Sequence, residues 1–445
     1  MQSRACSSYA EVKPAIDEVN LEFEMMKRID MTKLIITIGF IVALFLFWRY
    51  AYPCALAYHE QMQLFLWDVD YMTEILAEAG GFARYIAEMM VQNYVNISLG
   101  ALLLSLLMLA MQQLAWIIQK RCGAKDNIRN YMLSFLIPMA VWALMGDKDV
   151  MTTFPIALAL TLGMISLTPR NRKWAIVYSL LMVTVGYWLA GPLAIIGAIF
   201  VSSYIVIKSA DRLRQTLVAV VVTIVGILEL ILSCSMLPYP AVRVVRGIDY
   251  YREPEVCFPR EWFTSDIYQQ LDYSMLVRQQ EWSKIIAKAA DEMPSAPASV
   301  AAVRLAQWKK HIISNEQMTE FVSIYSNLDN PTNILMKSDL YYYLGMVNAS
   351  RRFAFEFKQL IGNNNQSGRI IRRLAEVELV SGHLRLARKY LFLLRKTTYY
   401  RDWAEKTLPM TYNPRLIEAH PVYGPLSKSF PESEPEQSEG AKSEH

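Results

Sequence analysis

Charge is scarce in this sequence and nearly absent from one stretch of it. Only 19% of the 445 residues are Asp, Glu, Lys or Arg and 53% are hydrophobic, against about 25% charged in ordinary soluble domains. From Leu34 to Met236 the uncharged apolar runs are too long for a water-soluble fold, whereas from Arg243 onward charges return every few residues. The change falls near Pro238 and Pro240. Cysteine is also sparse: Cys6, Cys54, Cys122, Cys234 and Cys257 form no Cys-x-x-Cys pair and stand at no His-linked spacing, which argues against a disulfide framework or a zinc site. The net charge of +4 is spread thinly, with no basic stripe or aromatic platform for nucleic acid. No cleavable leader is visible, because the first apolar run starts at Leu34 and ends at Arg49 rather than at small residues. It reads as an uncleaved span after a cytoplasmic tail over residues 1–33.

What is present is a series of membrane-length apolar segments. Crossing takes roughly 20 residues, and residues 34–52 and 95–119 supply them. Residues 131–168 are broken at Gly146-Asp147-Lys148-Asp149, and residues 174–207 at Ala190-Gly191-Pro192, so each reads as a helical hairpin, fully crossing or re-entrant. Residues 216–236 complete an all-α bundle of about seven spans. The cationic groups Lys27/Arg28/Lys33, Lys120/Arg121/Lys125/Arg129, Arg170/Arg172/Lys173 and Lys208/Arg212/Arg214 all fall on one side of that bundle. The positive-inside rule then places the N-terminus in the cytoplasm and everything after Met236 outside, as in a multi-pass protein of a bacterial inner membrane.

Residues 53–94 are too polar to cross. Met62, Phe65, Leu66, Val69, Met72 and Leu76 follow helical spacing, and after Gly80-Gly81 so do Phe82, Ile86, Met89 and Met90, which predicts two helices lying on the outer interface against membrane lipid. The acids here are His59-Glu60 with Asp68 and Asp70 beyond; Asp147 and Asp149 sit in the later loop. Glu60 could take a hydroxyl proton, with His59 beside it, and Asp147 and Asp149 could hold Mg²⁺ or Mn²⁺. Arg84 could meet a phosphate. The same residues read equally as the wet face of a surface helix and the end of a hairpin. Glu229, well inside the last span, either faces a wet cavity or is packed within the bundle.

This order of one span, an external segment, six further membrane helices and an external domain resembles the membrane module of the lipid-linked glycosyltransferases of the C superfamily. The resemblance covers residues 34–236 by architecture. It implies a polyprenyl-phosphate-linked sugar donor used on the outer face, with acidic residues after the first span and between the third and fourth. Glu60 and the Asp147–Asp149 loop stand at those places. The strings Tyr58-His59-Glu60-Gln61, Gln63-Leu64-Phe65-Leu66, Gly80-Gly81-Phe82, Tyr343-Leu344-Gly345-Met346 and Arg352-Phe353-Ala354-Phe355-Glu356 are also similar to an uncharacterised family of polytopic proteins from Bacteroides-type bacteria, domain of unknown function 6057. That resemblance covers most of the chain and implies no activity.

The second half divides into a connector over residues 237–266, a helical domain over 267–420 and a polar tail over 421–445, too poor in apolar residues to order itself. Asn348, Ala349, Phe353, Ala354 and Phe357 recur 33 residues later as Ser381, Gly382, Leu386, Ala387 and Tyr390. Paired helices with a small residue in the turn and an Ala at the crossing resemble tetratricopeptide repeats, which dock partner proteins on a concave face. The sequence therefore predicts either an outer-face glycosyltransferase or a non-catalytic scaffold that docks envelope proteins.

Overall fold

The computed structural model describes residues 28, 30–208, 212–252, 265–325, 331–361 and 365–429. Among these the chain is helical throughout, with one isolated antiparallel bridge between Val150 and Tyr251. The first helix, α1 (Asp30–Ala51), widens over Phe47–Ala51 into a π-turn, with the N–H of Tyr52 reaching back to the carbonyl of Phe47 at 3.1 Å. Pro53 has no N–H to continue that ladder and opens a new helix, α2 (Pro53–Gln61). A stretch without regular secondary structure leads to α3 (Val69–Leu76) and α4 (Gly81–Val91). Asn96 caps α5 (Ile97–Arg121), its side chain accepting from the N–H groups of Ser98 and Leu99 at 3.1 and 3.3 Å.

The next hairpin rises through α6 (Ile128–Leu133) and α7 (Leu136–Leu144) and returns through α8 (Thr153–Ser166); the second is α9 (Arg172–Ala190) and α10 (Pro192–Ile207), followed by α11 (Arg212–Met236). Four helices are long and apolar enough to cross a bilayer: α1, α5, α9 and the Thr216–Met236 part of α11. The other three apolar pieces, Ile128–Leu144, Thr153–Ser166 and Pro192–Ile207, are shorter, yet they run between the same two ends of the bundle. At one end the Arg121 guanidinium donates to Thr168 at 2.7 Å and the Tyr204 hydroxyl donates to the carbonyl of Arg121 at 2.9 Å. At the other, the N–H of Met151 donates to Tyr250 at 2.9 Å and the Tyr250 hydroxyl to Ala190. Lys33, which pairs with Asp126 and lies over the Trp116 ring, joins the first end, so residues from all four cationic groups of the sequence meet there or border it.

The second half starts with α12 (Ala241–Arg246) and continues as helical hairpins: α13 (Ser265–Arg278), α14 (Trp282–Glu292), α15 (Pro297–Lys309), α16 (Asn315–Tyr325), α17 (Pro331–Tyr343), α18 (Val347–Leu360), α19 (Gly368–Val380) and α20 (Leu384–Arg395). Short helices α21 (Arg401–Thr407), α22 (Arg415–Glu418) and α23 (Tyr423–Ser429) close it. Ala354 and Ala387, equivalent in the 33-residue offset, are both fully buried. Leu386, matched to buried Phe353, is exposed. The helix α23 lies within the expected flexible tail, because Tyr423 stacks on His420 and packs with Val377 and Ile417. Residues 253–264 of the expected connector, with Cys257, and residues 430–445 of the tail lie outside the described residues, as do 1–27 and 29.

The change in composition near Pro238 divides the sequence but not the core. Met62 belongs to the cluster built from Tyr273, Leu305, Leu340 and Phe357, while Tyr268 and Leu271 of α13 belong to the cluster of α1, α5 and α8. The helix expected over Met62–Leu76 is instead an irregular segment followed by α3. Leu64 and Leu66 turn into Ile371, Leu391 and Leu394 of the second half, which offers them a packed apolar core. Likewise α4 is pressed between α8 and α9, with Ala83, Ala87 and Val91 fully buried. Its entry depends on Gly80 (φ +75°), whose N–H donates to Tyr187 and Trp188 at 3.1 and 3.0 Å; a Cβ there would lie 3.2 Å from the backbone nitrogen of Gly191. Ala354→Arg and Ala387→Arg are each expected to destabilise the detergent-solubilised chain by about 3 kcal/mol or more, through overpacking and an unpaired buried charge. Lys389→Ala, at an exposed position, should stay within about 0.5 kcal/mol; equal thermal melting of all three would remove the crossing-point role of the two alanines.

Candidate functional site

Successive residues of an α-helix point about 100° apart, and α2 uses this to send three adjacent polar side chains to three different neighbours. His59, Glu60 and Gln61 are all buried. Glu60, 3% exposed, turns into the second half. It pairs with Arg278, the last residue of α13, and accepts a 3.1 Å hydrogen bond from the Tyr400 hydroxyl, which itself accepts from Arg278 at 2.7 Å. Tyr400 reaches this place because Gly368 has no side chain: a Cβ there would stand 2.5 Å from the ring. Burial works against the Arg278 charge, but Glu60 and Tyr400 outweigh it and hold the guanidinium protonated. Gln61 accepts from Arg369 at 2.7 Å, and Arg369 continues to Ser274 at 3.0 Å and to Asp339. Arg373 then bridges Asp339 and Glu376 at 2.8 and 2.9 Å. Burial alone would raise the Asp339 carboxyl; Arg369 and Arg373 override it and hold it below the ordinary carboxylate value.

His59 faces the other way. Its Nδ1 lies 3.1 Å from the Arg252 guanidinium, and full burial together with that cation keeps the imidazole well below its usual value of 6.5, hence neutral. Arg252 also donates to the carbonyl of Lys148 at 2.6 Å, and its N–H donates to Asp149 at 2.9 Å. The structure thus brings His59 and the Asp147–Asp149 loop together through Arg252, which no motif marks in the sequence. Asp147, 2% exposed, accepts from the N–H of Asp149 at 2.9 Å, and Asp149 pairs with Lys148 at 2.8 Å. Among the described residues no group of three or more His, Cys, Asp or Glu side chains converges as metal ligands, and the Glu60 carboxylate faces a guanidinium.

Arg84 forms a third centre. Buried on α4, it pairs with Glu88 at 2.9 Å, Glu78 at 3.2 Å and Asp249 at 3.2 Å, and donates to Asn365 at 3.4 Å. Tyr71 donates to Glu88, and Tyr239 donates to Glu78 at 2.8 Å, while Arg243 lies over the Tyr239 ring. Burial would lower the Arg84 guanidinium, but Asp249, Glu88 and Glu78 hold it well above the ordinary value. Three carboxylates surround Arg84, with Arg243 as a second cation within electrostatic reach of Asp249. Burial, reinforced by Glu88 and Glu78 against Arg84, pushes the Asp249 carboxyl up to about 6. Arg84 with Glu88 was legible as an i,i+4 pair; Asp249, arriving 161 positions after Glu88, was not. Glu229 stands apart from all three centres, half-buried on α11 within electrostatic reach of Tyr187.

A carboxyl near 6 when folded and at its ordinary 3.8 when unfolded binds its proton more tightly in the folded chain. Its stabilising contribution is complete below pH 3.8 and is lost as pH rises through about 6. Neutral, buried His59 acts in the opposite sense, its contribution present above pH 6.5 and lost as pH falls. The informative quantity is therefore the difference between Asp249→Asn and the native chain. Melting of the variant should gain on the native protein as pH rises from about 4 to about 6 and run parallel to it above that; a constant difference throughout would show that Asp249 does not titrate there.

No curated protein and no solved structure matches this chain. The profile of a family described only as of unknown function, DUF6057, matches residues 27–443 and so takes in α2, the Arg84 centre and the helical hairpins alike; the chain belongs to that family.

Proposed function

We propose that this protein is a non-catalytic membrane scaffold: a bundle of seven membrane helices that holds a tetratricopeptide-like half in one fixed orientation for docking envelope proteins. The observation that carries the reading is the Glu60–Arg278–Tyr400 arrangement. The carboxylate marked for chemistry has both oxygens engaged, is almost wholly buried, and ties the membrane half to the second half. A general base needs an open face toward the hydroxyl it deprotonates, and a phosphate-binding carboxylate needs a metal between. The order of membrane helices still resembles that of the lipid-linked glycosyltransferases, but the acids at the equivalent places support the fold. Support for seven crossings comes from the three shorter helices, which join the same two ends as the four long ones. The paired helices α17–α18 and α19–α20, with Ala354 and Ala387 buried at equivalent positions, support the repeat reading.

Glu60→Gln is expected to destabilise the solubilised chain by about 1–3 kcal/mol, because it leaves the half-buried Arg278 without its counter-charge. Adding Arg278→Met removes that charge, fills the space of its stem and keeps the Tyr400 hydrogen bond to the amide oxygen, so the double variant should recover most of the loss. A scaffold recovers melting and complementation of a deletion strain together. If the double variant melts like the native chain yet fails to complement, the carboxylate is needed for chemistry and the scaffold reading falls.

The same reading puts the basic end of the bundle in the cytoplasm and the second half outside it. Cys122 is exposed at the basic end and Lys389 on the far half. In intact cells a membrane-impermeant thiol reagent should spare a chain whose one cysteine is Cys122 and modify one carrying only Lys389→Cys. The reverse pattern inverts the orientation.

A further inference from the structure

At the basic end, the last turns of α5 and α10 and the turn from α8 to α9 enclose a pocket of about 480 Å³. Lys120, Arg121, Arg170, Arg172 and Lys208 line it, and no Asp or Glu does. None of the five pairs with a carboxylate among the described residues, in contrast to the arginines of the far end, where Arg84, Arg278, Arg369 and Arg373 are each matched by acids. The cations are nevertheless positioned. Arg121 is anchored by donating to Thr168 at 2.7 Å, its own carbonyl accepts from Tyr204 at 2.9 Å, and the Lys208 ammonium lies 4.7 Å from the Tyr204 ring centre. The rest of the wall is largely apolar, with Ile118, Ile165, Val201 and Ile205, and it includes Phe200, 47% exposed on α10.

From this charge and shape we propose that the pocket binds an anionic glycerophospholipid of the surrounding bilayer, its phosphate among the five cations and its acyl chains leaving along α10 past Phe200. The depth is right for a headgroup, since the rim sits where the apolar helices end. Basic pockets between membrane helices select anionic headgroups because a phosphate replaces lost hydration with charge-assisted hydrogen bonds. The apolar wall has no use for a free phosphate ion, which favours the lipid as its source. The inference is independent of whether the second half is a scaffold.

The test uses the purified full chain in detergent, with melting followed on titration of phosphatidylglycerol, phosphatidylcholine or inorganic phosphate, and native mass spectrometry to count retained lipid. Phosphatidylglycerol is expected to raise the melting temperature saturably and to persist as a bound adduct; phosphatidylcholine and phosphate are not. Arg170→Gln/Arg172→Gln should weaken the phosphatidylglycerol midpoint about tenfold or more, whereas Lys125→Gln/Arg129→Gln, which removes equal charge from residues that do not line the pocket, should change it by less than about threefold. All four positions are exposed, so both variants should fold. Equal responses to the two lipids, equal effects of the two variants, or saturation by inorganic phosphate alone would each overturn the proposal, the last by making the site one for a soluble anion.

Discussion

The contact on which the two halves depend is a buried carboxylate paired with a half-buried guanidinium. Glu60 on α2 would be costly to bury as a lone charge; paired with the half-buried Arg278 on α13, and joined by the Tyr400 hydroxyl, it is satisfied. Such a pair adds little net stability over apolar packing, but it accepts one geometry, and that geometry fixes how α13 crosses α2. Gly368 belongs to the same contact, since a side chain there would push the Tyr400 ring away from Glu60.

Everything around α2 follows from the fan of its last residues. Because Gln61 reaches Arg369 and His59 reaches Arg252, one short helix is tied to α19 on one side and to the Asp147–Asp149 turn on the other. The chain leaving α2 cannot then run along a membrane surface. It enters the second half as an irregular strip, with Leu64 and Leu66 in its core and the Trp67 N–H donating to Lys396 at 2.7 Å. The return through α3 and α4 brings Arg84 under the turn that follows α12, where Asp249 closes the third centre.

The two ends of the membrane bundle treat charge differently. At the end facing the second half, cations and acids are buried in matched clusters, because protein on both sides excludes water. At the basic end the cations are mostly exposed and uncompensated by protein. Between them α1 and α11 present open apolar faces, with Ile224, Leu228 and Ile231 of α11 more than half-exposed or close to it. A surface of that kind is stable only against hydrocarbon.

By itself the sequence determined the elements whose signal is local. Long uncharged runs allow only membrane helices, since an unpaired backbone cannot lie in lipid; Pro53, Gly80 and Gly191-Pro192 mark breaks, and the 33-residue offset already places Ala354 and Ala387 at equivalent points. The similarity to DUF6057 was also legible, in strings such as Tyr58–Gln61. What only the tertiary structure decided is which polar groups meet. His59 and Glu60 are neighbours in the chain and look like a reactive couple, yet the helical turn parts them; Glu60 and Arg278 lie 218 positions apart and touch. Whether Met62–Leu66 would be helix or strip was likewise undecided locally, because the same apolar residues could face lipid or a protein core, and the core of α19–α21 is formed by residues three hundred positions downstream. Burial of a charge depends on a partner, and a partner supplied by a distant segment leaves no periodicity or motif where it will be received.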